Sequence, residues 1–225
     1  TVRAIDISGN VAYVNGWDSD RIVSIDISDP NNLTQLDSFT SPELNGPEYV
    51  EVDGNYLYVS AGQANNLVSL DIGDPTNIIQ LDALGGLNTP NEVFIEGSVA
   101  YIANVNTDEL VTIDISDPSN MVEIGRFQSP DLDGTEGVSI VGNTAFMTAA
   151  NSNSIVSIDV SDPANMVQLD SLSTPDIVGP DGIEIYANEA YVANETGDSL
   201  VVIDISDPSN LTQLTAISST DLDRA

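Results

Sequence analysis

The chain has 225 residues, of which 36 are Asp or Glu and four are Arg, with no Lys, His or Cys. The net charge of −32 argues against nucleic acid and anionic membrane as partners, because both would repel it. The lack of His and Cys excludes zinc-thiolate sites and His-based acid–base catalysis, which leaves carboxylates as the main chemical resource. No apolar run is long enough to cross a bilayer and Thr1-Val2-Arg3 has no signal-peptide pattern, so we expect a mature or excised domain.

One phrase of seven residues recurs five times, and its closing prolines are spaced by 45, 43, 45 and 45 residues. The copies are Ser24–Pro30, Ser69–Pro75, Thr112–Pro118, Ser157–Pro163 and Val202–Pro208. This period is typical of β-propeller blades, and the alternating, β-branched segments between Gly, Asn and Pro exclude helical repeats. The sequence predicts an all-β, five-bladed β-propeller with four antiparallel strands per blade. We expect a single domain over residues 1–225, with blades at approximately 1–40, 46–85, 90–128, 135–173 and 180–218.

The fourth repeat shows the four strands of a blade in chain order. The pattern predicts strands over Gly137–Val141, Thr144–Ala149, Ser154–Val160 and Met166–Leu172. The first turn is Gly-Asn or a relative of it, and the third is Asp-Pro-x-Asn, so both are tight and lie at one end of the blade. The opposite end carries the loop between strands two and three and the link between blades. That end varies among repeats, so it is the better candidate for function.

Two phrases in the fifth repeat carry a family resemblance. Tyr191-Val-Ala-Asn194 and Leu200-Val-Val-Ile-Asp204 resemble the LVIVD-repeat propellers and, more distantly, the YVTN type. The resemblance covers the whole chain. It implies a propeller that serves as a surface, adhesion or binding module, and it implies no shared chemistry.

Carboxylates recur at two places in the repeats. The Asp that precedes each Asp-Pro turn, as in Asp26, could bind calcium, but its presence in all five blades favours a role in closing the turn. On the innermost strands, alignment places Asp6, Glu51 and Glu184 at one position, with Phe94 and Ser139 as the other occupants. If this position faces the central channel, the three carboxylates converge there. A bound Ca²⁺ or Na⁺ and a water-filled polar channel are then the alternatives.

A second row lies at the mouth of the same strands. It forms an acidic rim with one arginine and consists of Arg3, Glu48, Asn91, Glu136 and Asp181. The only Trp, Trp17, lies in a variable loop beside Asp18 and Asp20, where the other blades carry small polar residues. We therefore predict a ligand-binding surface of Trp17, Asp18, Asp20, Glu48, Glu136 and Asp181. The alternative for Trp17 is that it covers its own loop.

These features favour a non-enzymatic, extracellular or cell-surface binding or adhesion module that forms part of a larger assembly. We expect it to contact protein or glycan through its variable loops. The absence of Lys adds an expectation of a marine or saline environment. One alternative is a carboxylate-based glycan hydrolase or lyase that recruits Glu51, Glu136, Asp181 and Glu184. Another is a structural bead in a filament or surface layer, with copies of the chain as partners. No cofactor is expected other than the channel cation.

Overall fold

The computed structural model describes residues 1–222, and these form five antiparallel sheets of four strands each. In every sheet the strands are neighbours in chain order, so each repeat makes one blade. The predicted fold class, an all-β, five-bladed β-propeller, is confirmed. Within the described residues no helix is long and apolar enough to span a membrane.

The twenty strands are six or seven residues long. The first two blades contain β1 (Val2–Ser8), β2 (Val11–Gly16), β3 (Arg21–Asp26), β4 (Thr34–Phe39), β5 (Pro47–Asp53), β6 (Tyr56–Ala61), β7 (Asn66–Asp71) and β8 (Ile79–Gly85). The third and fourth contain β9 (Pro90–Glu96), β10 (Val99–Asn104), β11 (Glu109–Asp114), β12 (Val122–Gln128), β13 (Thr135–Val141), β14 (Thr144–Ala149), β15 (Ser154–Asp159) and β16 (Val167–Leu172). The fifth contains β17 (Pro180–Tyr186), β18 (Glu189–Asn194), β19 (Ser199–Asp204) and β20 (Thr212–Ser218).

The strands of the fourth blade follow the sequence pattern closely. β14 has the predicted bounds, and β15 and β16 differ from theirs by one residue at one end. β13 begins two residues earlier than predicted, at Thr135, because an irregularity in the register lies between Thr135 and Val138. A bulge of this kind interrupts the two-residue alternation from which the strand was predicted.

The chain divides into two compact units. The first comprises Thr1–Ile102 with Ile113–Glu123, and the second comprises Ala103–Thr112 with the described residues from Ile124 onward. The core of the first unit contains Val50, Leu57 and Val59 from the second blade, all at most 1% exposed. In the second unit, Ile183, Ala190 and Val192 of the fifth blade pack in one cluster with Ile155 of the fourth.

The turns form as their residues predict, and they lie at one end of the blade. Gly9 in the first turn of blade one has φ +57°, and Ala187 occupies the same position in blade five at φ +55° without the freedom of glycine. In the third turn, Asp29 accepts from the backbone N–H of Asn31 at 3.0 Å. Ile27 N–H donates to the carbonyl of Asn10 at 2.9 Å, which joins the third turn to the first.

A repeated hydrogen bond links consecutive blades. The Ser or Thr that opens the recurring phrase is fully buried in the first four repeats and donates to the Pro carbonyl of the next blade's turn. The pairs are Ser24 with Pro75, Ser69 with Pro118, Thr112 with Pro163 and Ser157 with Pro208, at 2.6 to 2.7 Å. The fifth repeat has Val202 at this position, so it cannot make the bond.

Candidate functional site

The variable end of each blade is held by a left-handed residue in the loop between its second and third strands. Asp20, Asp108 and Asn153 have φ between +52° and +55°, and the side chain of each accepts from a glycine N–H in the link to the next blade. The acceptor distances to Gly46, Gly134 and Gly179 are 2.8 to 2.9 Å. We call this end of a blade its loop end. Its backbone is fixed, so side chains that project from it are held in place.

Trp17 belongs to a cluster at the loop end of the first blade. Its indole Nε1–H donates to Glu48 Oε1 at 2.8 Å, and the Arg3 guanidinium carbon lies 4.6 Å from the centre of its ring. Arg3 also forms an ion pair with Glu48, whose side chain is 10% exposed while that of Arg3 is 44% exposed. Each of the three side chains therefore orients the other two. We call Arg3, Trp17 and Glu48 the tryptophan cluster.

The two acids beside Trp17 have different roles. Asp18 is exposed, and its carboxylate accepts from the Thr1 hydroxyl at 2.8 Å. The Asp20 carboxylate accepts a hydrogen bond from the Gly46 N–H, and the Asp20 carbonyl accepts one from the Thr40 hydroxyl at 2.7 Å. Asp20 thus shapes the loop, and Asp18 and Arg3 are the exposed charged groups there, beside the partly exposed Trp17.

A second charged cluster lies at the loop end of the third blade, where sequence reasoning did not place one. The Glu109 carboxylate, 8% exposed as a residue, accepts from Asn104 at 3.1 Å, Thr107 at 2.7 Å and Arg126 at 2.9 Å. Gln128 closes the same loop by donating to the Thr107 carbonyl at 3.0 Å. The available signal was residue type: the first residue of the third strand is Glu only in this blade, and Arg126 is one of four arginines.

The inner-strand row was predicted to align Asp6, Glu51 and Glu184, and the registers confirm that equivalence. Asp6 lies opposite Tyr13, Glu51 opposite Tyr58, and Glu184 opposite Tyr191. Asp6 points to the following blade, where Oδ2 accepts from Val52 N–H at 2.7 Å. Glu184 is exposed and lies in the second unit, whereas the other two acids lie in the first.

The carboxyl group of Glu51 lies in a strongly perturbed environment. Burial, followed by the negative charges of Asp6, Glu92 and Asp53, raises its pKa to about 7. Among residues 1–222, no group of three or more acidic side chains has the arrangement of a metal site. The channel cation stays a prediction, and Glu51 is distinguished here by its protonation.

The two remaining predicted ligand residues lie in the second unit. Glu136 is partly exposed on β13. Asp181 is exposed on β17, and its backbone carbonyl accepts from Thr148 at 2.5 Å. Asp181 also borders a cavity of about 550 Å³ that Leu200, Ile217 and Leu222 line with apolar atoms. The sequence pattern did not indicate this cavity.

Solved structures share the fold at low sequence identity. A functionally unknown protein from Desulfotomaculum acetoxidans matches with a TM-score of 0.82 and 14% identity, over 97% of this chain and 70% of its own. A Lactobacillus plantarum protein matches with a TM-score of 0.85 and 12% identity, over 97% of this chain and 71% of its own. The periplasmic gluconolactonase of Pseudomonas aeruginosa matches with a TM-score of 0.81 and 13% identity, over 96% and 69%. At these identities the likeness shows the fold alone.

The family comparison is more specific. The comparison with curated proteins gave no match. The LVIVD repeat model matches five times, over residues 1–41, 48–81, 90–129, 134–174 and 181–216. Each match falls on one of the five sheets, and together they cover most of the sequence. The chain belongs to the LVIVD-repeat family.

Proposed function

We propose that this chain is a non-enzymatic binding module, secreted or displayed at a cell surface, that contacts protein or glycan through its loop ends. The tryptophan cluster is the observation that carries the proposal. It places an aromatic ring, a guanidinium with 44% of its side chain exposed and a carboxylate on a backbone fixed by the Asp20–Gly46 bond. A preorganised aromatic group next to charged donors and acceptors is suited to recognition, because little conformational entropy is lost on binding.

The residue of the third blade that is equivalent to Trp17 is not aromatic. Trp17 begins the three-residue 3₁₀ turn of blade one, and Val105 begins the equivalent turn of blade three. Val105 has neither an indole N–H nor an aromatic face. The cluster is thus a departure from the repeat, which is where a recognition residue is expected on a scaffold of similar blades.

A glycan array with the purified chain tests the proposal, together with a panel of extracellular matrix proteins. The matched variants are Trp17→Ala and Val105→Ala. We expect Trp17→Ala to lower the affinity for the ligand by about tenfold or more, as for a hot-spot aromatic residue. Val105→Ala should leave the affinity unchanged. Since Trp17 is the only Trp, ligand binding should also change the intrinsic fluorescence. Equal binding by both variants would overturn the assignment of the cluster.

Glu51 supports a second candidate, a carboxylate-based glycan hydrolase or lyase. A carboxyl group with a pKa of about 7 is protonated over the pH range in which a general acid acts. Asp6 and Glu92 provide nearby carboxylates. A reducing-sugar assay between pH 5 and 8 tests this candidate. Turnover that Glu51→Gln abolishes and Glu184→Gln retains would favour catalysis over binding.

A further inference from the structure

A cavity of about 300 Å³ lies at the loop end of the fifth blade, beside the link that leads in from the fourth. The link contributes Pro175, Asp176 and Val178 to its lining, and the blade contributes Gly197, Ser199, Ala216 and Ser218. All of these residues belong to the second compact unit. Ala216 packs against the apolar cluster that joins the fourth and fifth blades, so the cavity opens on the side of the blade that faces the fourth. We call it the link cavity.

The fifth blade has small residues at four positions where the third blade has long ones. The pairs, in the third and fifth blades respectively, are Thr107 and Gly197, Glu109 and Ser199, Arg126 and Ala216, and Gln128 and Ser218. In the third blade these side chains bond one another: Thr107 and Arg126 donate to the Glu109 carboxylate at 2.7 and 2.9 Å. The fifth blade lacks all four long side chains, which leaves the space open.

The fourth blade shows which hydrogen bonds are weakened by the same change. In the link to that blade, the Asp131 carbonyl accepts from the hydroxyls of Ser152 and Ser154 at 2.7 and 2.5 Å. Among the described residues, the equivalent Asp176 carbonyl accepts only from the Ser199 hydroxyl, at 3.5 Å, because a glycine stands at the equivalent of Ser152. A bond of this length is at the limit of hydrogen bonding, so the link cavity has an acceptor and a hydroxyl that are poorly paired.

The Asp176 carboxylate is held in place at the rim of the link cavity. Its Oδ2 accepts from the Gln213 side-chain amide at 2.6 Å, and the Gln213 carbonyl oxygen in turn accepts from the Thr174 hydroxyl. For the other oxygen, Oδ1, residues 1–222 show no donor. No cationic side chain is found among the described residues that line the link cavity, and the whole chain carries a charge of −32. The site therefore attracts cations and repels anions.

The lining matches the needs of a primary ammonium group on an alkyl stem. Such a group donates three hydrogen bonds and accepts none. The link cavity offers the Asp176 carboxylate and the hydroxyl oxygens of Ser199 and Ser218 as acceptors. Pro175 and Val178 provide apolar walls against which the methylene groups of the stem can pack.

Other cations fit the same lining less well. A guanidinium binds best to both oxygens of a carboxylate, and Oδ2 of Asp176 is already engaged by Gln213. A quaternary ammonium requires aromatic faces, which the described lining does not contain. A calcium ion requires six to eight oxygen ligands, whereas the lining supplies one carboxylate.

We infer that the link cavity binds a primary alkylammonium group, from either a lysine side chain of a partner protein or a free diamine. The chain contains no Lys, so no side chain of a second copy supplies this group. The inference does not rest on the tryptophan cluster, which belongs to the first compact unit.

Titration of the isotope-labelled chain, followed by NMR, tests the inference. The probes are Nα-acetyl-lysine amide and cadaverine, and the control is Nα-acetyl-norleucine amide, which has an apolar stem but no ammonium. Both amines should shift the backbone amide signals of Gly197 and Ser199 with a Kd on the order of 1 mM, a weak affinity suited to a single small group. Tighter binding of the lysine derivative would identify a protein partner as the source, and tighter binding of cadaverine a free diamine.

Two variants should lower the affinity by about tenfold or more, the loss expected for a hydrogen bond to a charged group. Asp176→Asn removes the charge and keeps the shape. Gly197→Ser restores the serine of the fourth blade, and its Cβ would lie 3.2 Å from Val178 Cβ and 3.3 Å from Ser199 Oγ, inside the link cavity. The matched control is Asp131→Asn, which removes the same charge from the equivalent position of the preceding link and should bind like the wild type.

Circular dichroism verifies that the variants are folded. The inference would be overturned by the absence of shifts at about 20 mM of either amine, well above the expected Kd. Equal loss of affinity in Asp131→Asn would also overturn it, because general attraction by the acidic surface would then be the cause. So would a norleucine derivative that binds as tightly as the lysine derivative. Trp17→Ala should leave ammonium binding unchanged, so this inference and the proposed function can fail independently.

Discussion

The raised pKa of Glu51 predicts an unusual dependence of the free energy of unfolding on pH. Its pKa is about 7 in the folded chain and 4.5 in an ordinary Glu side chain, so the folded state binds this proton more tightly than the unfolded state does. Below pH 4.5 the group is protonated in both states and has no effect on the free energy of unfolding. As the pH rises from 4.5 to 7 the folded state loses stability, and above pH 7 the full penalty is present. Replacing Glu51 by Gln removes the penalty, so Glu51→Gln should be more stable than the wild type at pH 8.

The magnitude follows from the shift. A difference of two to three pKa units corresponds to about 3 kcal/mol, and residual solvation of this half-buried group reduces it to about 2 kcal/mol. For a domain of this size, that gain raises the melting temperature by roughly 4 to 8 °C. Urea unfolding of both proteins at pH 4.5 and pH 8, in the same salt, measures it.

Glu184→Gln is the matched control, because it removes the same charge from the equivalent, exposed position of the fifth blade. It should change stability at pH 8 by less than about 0.5 kcal/mol, the range for surface substitutions. Equal stability of Glu51→Gln and wild type at pH 8 would refute the reasoning. An equal gain from Glu184→Gln would show instead that general charge repulsion is the cause.

Three further predictions concern the repeats and the charge. Leu132→Ala should lower the free energy of unfolding by about 2 to 5 kcal/mol, because Leu132 is fully buried. Leu222→Ala should change it by less than about 0.5 kcal/mol in the monomer, because Leu222 is exposed. Chemical denaturation measures both variants, and similar losses of stability would contradict the reasoning from exposure. Ser157→Ala should lower the free energy of unfolding by about 1 to 3 kcal/mol, since it leaves the Pro208 carbonyl without its donor. The control is Ser173→Ala, at an exposed position. If the two variants were equally stable, the hydrogen bond between the blades would be unimportant. The melting temperature should rise by more than about 4 °C between 10 mM and 1 M NaCl, as the Debye length falls from about 30 to about 3 Å, and a flat profile in calorimetry would show that repulsion among the acids is unimportant.

The fold could be predicted because its sequence pattern repeats five times. A recurring phrase with a Pro every 43 to 45 residues indicates blades, and Gly-Asn and Asp-Pro turns place the strands to within one or two residues. The start of β13 was missed because its register is irregular near Thr135. That irregularity depends on backbone geometry and has no residue signature of its own.

The site was predicted less completely. Trp17 was found because it is the only Trp of the sequence, and Glu48 because it belongs to the acidic rim. The stacking of Trp17 with Arg3 and the ion pair of Glu48 with Arg3 depend on three-dimensional proximity. The Glu109 cluster was missed because its donors come from β10, from β12 and from the loop that joins β10 to β11. The cavity beside Leu222 was missed because its residues follow the repeat pattern, and a pattern contains no information about whether a face is covered.

The acidic composition has a structural component. Ten of the 36 acids are the Asp residues before and within the five Asp-Pro turns, and each accepts a backbone N–H two residues later. At Asp26 and Asp117, hydrogen bonds from the hydroxyl and then from the backbone N–H of the serine two residues later hold the carboxyl pKa below its usual value, so these turns lose stability as the pH falls below about 4. Glu51 acts in the opposite direction and weakens the fold as the pH rises towards 7. The turn acids therefore lower stability on the acid side and Glu51 lowers it on the basic side, so these groups together favour a stability maximum between about pH 4 and 4.5, just below the range common to proteins.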